Sequence, residues 1–164
     1  MGVQLNRSLF NLLRTDLIVD FEGYFVNKKF IIKEIAFFNY YLNTFDNFFI
    51  KTKKFYNKET QWCINYYHKI PCNYGNVSFS LINKMFQNSN LVFLVNGTEK
   101  IKILSSFTKN ICLDLRTIFD TSILTEPINR IKCQFENHTD NKHCALFKVQ
   151  KLSLICDFKR ETLV

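Results

Sequence analysis

The sequence predicts an α/β fold, a mixed sheet of about five strands with flanking helices. Three observations predict it. Short apolar runs ending at turn residues alternate with stretches whose apolar residues recur at helical spacing. One of the runs, LVFLV at 91–95, is apolar without interruption, as in a strand covered on both faces. The apolar share, 47% of 164 residues, suffices for one buried core, so residues 1–164 read as a single domain.

The elements follow in order. TDLIVDF at 15–21 reads as a buried strand, and Gly23 to Lys29 as a turn. FIIKEIAFF at 30–38 is a second strand, close enough to make a hairpin. Residues 39–58, aromatic and basic, read as a third strand with a loop. ETQWCINYYH at 59–68 reads as a helix. VSFSLINKMFQN at 77–88 is another, with Phe79, Ile82, Met85 and Phe86 at helical spacing and Ser78 or Asn76 as its cap. After the strand at 91–95, Asn96-Gly97 turns the chain into a helix over 98–108, and ICLDL at 111–115 is the next strand. Residues 116–132 read as irregular, because Pro127 breaks any helix. A last helix over 142–158 sets Leu146, Val149, Leu152 and Ile155 on one face. The resulting order, β-β-β-α-α-β-α-β-α, is that of the RNase H-like fold.

The net charge of +8 points to a polyanionic partner, since lysines and arginines release counterions from a phosphate backbone. These residues are scattered along the chain, so folding must assemble any patch. Lys51, Lys53 and Lys54, next to an aromatic stretch at 37–56, are the candidate nucleic-acid contacts. No apolar run is long enough to span a bilayer, and residues 1–14 lack the apolar stretch of a signal peptide. A cytoplasmic location, with the nucleus also open, and no membrane partner are therefore expected. In that reducing setting the six cysteines are read as thiols or metal ligands.

Four segments carry a family resemblance. IVDFEGYFVNKKFIIKEIAFF contains Asp20-x-Glu22 at a strand end and then Ile32-x-Glu34-Ile35-Ala36. Tyr67-His68-Lys69-Ile70-Pro71, LVFLVNGTEKIKIL and HCALFKV follow in order. Together they resemble the DEDD-type 3′–5′ exonucleases, and the matches run from 17 to 155. That family holds two divalent metals on about four carboxylates, because hard cations take oxygen ligands. Asp20 and Glu22 stand at i and i+2 on a strand and so share a face. The second acidic position falls near Lys100, with Glu99 beside it, and the last falls on Lys148. Asp20 and Glu22 are then relic candidates, and the resemblance implies no intact two-metal centre.

Cys133, His138, His143 and Cys144 lie at short spacing across one loop, with the last cysteine opening a helix, a pattern that matches structural zinc sites. A fourth ligand must come from elsewhere. Here the chain resembles the Maelstrom domain, an exonuclease-like fold that has lost its acids and carries a Glu-Cys-His-Cys zinc motif. The resemblance implies the ligands Glu34, Cys133, His138 and Cys144, with His143 as the alternative histidine. Strand alternation puts Glu34 on the face of Phe30, Ile32, Ala36 and Phe38, where an unpartnered carboxylate is costly and a metal would satisfy it. A second group, Cys63, His68 and Cys72, reads as core packing.

The implied function is a zinc-stabilised, catalytically degenerate exonuclease-fold domain that binds nucleic acid, single-stranded or structured RNA before DNA. The Maelstrom resemblance links it to small-RNA silencing, transposon control and silencing-pathway proteins, and leaves room for a metal-independent single-strand RNase activity. More loosely, the chain resembles short insect proteins of mobile-element or viral character. Two other readings stand beside this one: an active metal-dependent exonuclease with a rearranged acidic set, and a protein-interaction scaffold using exposed aromatics of 37–56.

Overall fold

The computed structural model describes residues 15–39, 42–87, 91–118, 131–135 and 143–162. Five strands, β1 (Thr15–Val26), β2 (Lys29–Asn39), β3 (Thr44–Phe49), β4 (Leu91–Val95) and β5 (Ile111–Asp114), form one sheet in the order β3-β2-β1-β4-β5. The first three make an antiparallel meander, and β4 and β5 run parallel to β1. The described helices are α1 (Lys58–Tyr66), α2 (Phe79–Phe86), α3 (Thr98–Ser105), the single turn α4 (Leu115–Ile118) and α5 (Ala145–Thr162). The expected mixed α/β sheet is therefore present, with boundaries shifted by a few residues.

Two apolar clusters lie on opposite faces of the sheet. One joins Ile18, Ala36, Phe38, Val92 and Leu94 to Leu146, Val149 and Leu152 of α5. The other joins Val19, Phe37, Phe93 and Val95 to Ile82 and Phe86 of α2 and Leu104 of α3. All five residues of β4 are buried, as its unbroken apolar run requires. Leu146, Val149 and Leu152 recur at helical spacing because that stripe covers the sheet.

The expected turn at Gly23–Lys29 is corrected. β1 continues to Val26, and the hairpin turns at Asn27-Lys28, both with positive φ (49° and 65°), as a tight two-residue connection requires. Gly23 serves a different need. A Cβ there would stand 2.0 Å from the Ile31 carbonyl oxygen, so the two strands approach too closely for a side chain. The register also shifts at this point: Glu22 pairs Glu34 while Gly23 pairs Ile32, which leaves Lys33 as an extra residue in β2.

This bulge breaks the alternation on which the placement of Glu34 rested. Glu34 does share its face with Ala36 and Phe38, but Ile32 lies in the opposite cluster with Phe30 packed against it. The bulge buries Lys33 completely. Its ammonium donates to the carbonyls of Ile50, Cys72 (2.9 Å) and Tyr74 (2.9 Å) and so pins the segment after β3 to the sheet.

Candidate functional site

β4 ends at Val95, which pairs Val19 of β1. Asp20 and Glu22 therefore project just beyond the carboxyl end of the neighbouring parallel strand, the usual location of sites in sheets of this kind. Both are almost fully buried. Two lysines from separate elements meet them. Lys100 of α3 places its Nζ 3.1 Å from Asp20 Oδ1 and 3.9 Å from Glu22 Oε1, and donates to the Phe21 carbonyl. Lys148 of α5 donates to Glu22 Oε1 and lies 3.8 Å from Asp20 Oδ2. Each carboxylate thus faces both ammonium groups, and the four side chains sum to zero charge.

The electrostatics follow from that geometry. Burial raises the pKa of Asp20 above the ordinary carboxylate range, against the pull of Lys100 and Lys148. Burial opposes the charge on Lys148, but Asp20 and Glu22 outweigh it and hold its pKa above the usual lysine value. Lys148 therefore stands as an ammonium beside the two carboxylates.

A second cluster lies one strand away. Glu34, opposite Glu22 across the β1–β2 ladder, is wholly buried. Its carboxylate meets the first turn of α5: Ala145 N–H donates to Oε2 at 3.1 Å, and Leu146 N–H to Oε1 at 3.4 Å. Asn47 Nδ2 donates to Oε1 at 3.1 Å, and the Cys144 thiol points to the same oxygen at 3.7 Å. Glu34 is therefore not the isolated carboxylate its apolar neighbours suggested. It caps a helix whose N-terminal dipole favours negative charge.

Cys133 and Cys144 complete this cluster. One ligand atom from each of Glu34, Cys133 and Cys144 lies within 4.8 Å of the others, and all three residues are buried. The group can hold a metal ion. Three of the four residues expected as ligands are thus brought together from β2, the 131–135 segment and the start of α5. The fourth, His138, lies outside the described residues. His143, the alternative, is not part of the cluster; its ring lies against Tyr67, with centroids 3.8 Å apart and planes tilted by 36°.

The remaining candidates fall elsewhere. In His68, Nδ1 accepts from Ile70 N–H at 3.1 Å, so Nε2 carries the proton and donates to the Gly23 carbonyl at 3.0 Å. This buried histidine packs beside Tyr24 and Cys72 is buried as well, as the core reading of Cys63, His68 and Cys72 expects, whereas Cys63 is only half-buried and lines an open cavity. Lys51, Lys53 and Lys54 are exposed in the segment that follows β3. Phe37, Phe38 and Phe49 are core residues and Phe45, Phe48 and Phe55 are half-buried, so of the described 37–56 aromatics Tyr56 alone is exposed.

Sequence reasoning missed the surface role of Trp62, which is 54% exposed on α1. The signal was available. Its neighbours one turn away on the helix, Lys58, Glu59, Asn65 and Tyr66, mark the solvent face. No described helix is long and apolar enough to cross a membrane. Comparison of the chain with protein-family models gives no match, and comparison with curated proteins gives none either.

Proposed function

We propose that this chain is a catalytically degenerate exonuclease-fold domain of the RNase H-like, Maelstrom-like type, stabilised by zinc, that binds nucleic acid, with RNA its first partner. The observation that carries the proposal is the pair of ammonium groups set between Asp20 and Glu22. Two-metal hydrolysis needs carboxylates open to hard cations. Here Lys100 and Lys148 stand against that use by repelling a second cation and occupying the carboxylate oxygens. The strand order β3-β2-β1-β4-β5, with a meander followed by parallel strands, supports the fold assignment.

The Glu34, Cys133 and Cys144 cluster fits zinc. Two sulfur donors and a carboxylate, all buried, suit a closed structural site, and the start of α5 favours a thiolate at Cys144. These three residues would hold the ion, with His138 the expected fourth ligand. The metal would fasten α5 to β2 and so contribute folding free energy. The same helix delivers Lys148 to Glu22, so the clamp also supports the arrangement that replaces the metals. A role in small-RNA silencing rests on the Maelstrom resemblance, and the net charge of +8 supports a polyanionic partner.

The test is incubation of the purified chain with labelled single-stranded RNA in Mg²⁺ or Mn²⁺. The expected result is binding that weakens steeply with salt and leaves the strand intact. Degradation abolished by Asp20→Ala would instead establish the active exonuclease.

A further inference from the structure

Beside the Asp20–Glu22 cluster lies a cavity of about 570 Å³, a volume suited to a small organic group. Its walls include Phe25, Phe30, Trp62 and Tyr67. Trp62 and Phe25 are 54% and 41% exposed, a large aromatic surface left open at its mouth. The indole stacks on Tyr67, with centroids 5.6 Å apart and planes 28° apart, which holds its ring in a fixed orientation. Glu22 and Lys100 also line the cavity, each already engaged in the neutral four-residue cluster, and Lys58, Glu59 and Glu99 line it too, so the walls carry no excess of positive charge to attract an anion. The slot therefore suits an uncharged flat ring better than an anion.

The next depression along the surface, about 700 Å³, shares Phe25, Phe30, Glu99 and Ile103 with the first. Its lining adds Lys28 from the β1–β2 turn, Lys29 from the start of β2 and Lys102 from α3, all exposed. Among its lining residues three lysines stand against one glutamate. An aromatic slot thus opens directly into a basic trough.

We infer that this continuous groove is the nucleic-acid site, taking one unstacked base of a single strand against Trp62 and the adjoining phosphates on Lys28, Lys29 and Lys102. A neutral ring beside an anionic chain is the pattern that the two depressions complement. Paired bases do not fit, because a ring reaches the slot only when it is splayed from its neighbours. The inference rests on the proposed nucleic-acid binding and moves its contacts away from Lys51, Lys53 and Lys54.

Trp62 is the only tryptophan in the chain, so its emission reports the slot directly. The experiment titrates the full chain with a short labelled single-stranded RNA and reads anisotropy and tryptophan fluorescence together. Binding is expected to quench Trp62, and Trp62→Ala to weaken affinity about tenfold with an unchanged salt slope. The Lys28→Ala/Lys29→Ala/Lys102→Ala variant should lower the steepness of log K against log salt by about 2, from about 0.7 per phosphate contact on a single strand. A Lys51→Ala/Lys53→Ala/Lys54→Ala variant should change it less. All these side chains are exposed or partly so, and circular dichroism checks that the variants fold. RNA bound with no change in tryptophan emission, or with the larger loss in the 51/53/54 variant, overturns the groove and leaves RNA binding standing. Failure of the unaltered chain to bind RNA overturns both readings.

Discussion

Removing Lys148 tests the central electrostatic claim. In Lys148→Met the ammonium that answers Glu22 is lost while an unbranched side chain of similar length is kept. The Glu22 side chain is only 5% exposed and would keep Lys100 at 3.9 Å as its remaining cation. Breaking a buried pair by removing one partner costs about 3–5 kcal/mol. Lys148 itself is 30% exposed, and Lys100 stays near, so the lower end, about 3 kcal/mol, is expected. With a urea m value of about 2 kcal/mol/M, the unfolding midpoint falls by about 1.5 M. In a thermal melt the same loss lowers Tm by about 6–12 °C. The double variant Glu22→Gln/Lys148→Met removes both charges and should return to within about 1 kcal/mol of the unaltered chain. Urea denaturation followed by circular dichroism measures all three proteins. A single variant within about 0.5 kcal/mol of the parent, or a double variant no better than the single, would show that Lys148 does not neutralise Glu22.

Three further outcomes are expected. The purified chain should carry about one zinc ion, lost in Cys144→Ser and on treatment with a strong chelator, each with a drop in Tm; a metal-free, stably folded chain in elemental analysis would refute the zinc assignment. Burial lowers the pKa of Lys33 from 10.5 to about 8, against the opposing pull of Cys72. The unfolded chain then binds more protons than the folded one between those values, so this group makes stability rise with pH across that window, by on the order of 3 kcal/mol. The difference in stability between the parent and Lys33→Met, followed from pH 8 to 10.5, isolates the effect, and a flat or falling difference would refute it. Gly23→Ala should destabilise by about 3 kcal/mol or more, because its Cβ would overlap the Ile31 carbonyl and both strands would have to part; a midpoint equal to the parent's would remove the packing argument.

Much of this arrangement was legible in the residues. The unbroken run at 91–95 marked a central strand, and the spacing of Leu146, Val149 and Leu152 marked the face that α5 buries. Asp20 and Glu22 were readable as a same-face pair, and Lys100 and Lys148 as cations at acidic positions. Glu34, Cys133 and Cys144 were nominated together through the family resemblance, and the fold brings them within 4.8 Å. These features depend on periodicity, on residue type and on the order of matched segments, all of which a linear sequence carries.

The rest depends on register and on the approach of segments distant in the chain. Gly23 looked like a turn residue, and only the pairing of β1 with β2 shows that it admits the Ile31 carbonyl. The bulge at Lys33 moves Ile32 to the opposite face, which a period-2 reading cannot foresee without knowing where the ladder slips. Glu34 proved to be a helix cap as well as a metal-ligand candidate because α5, more than a hundred residues away in sequence, ends its approach on that carboxylate. Trp62 lines one depression and Lys28, Lys29 and Lys102 the adjoining one for the same reason. Local pattern in the residues sets the elements and the chemistry available to them. Which charges meet, and whether they meet each other or leave room for a cation, was set by non-local packing, the one contribution that local pattern does not encode.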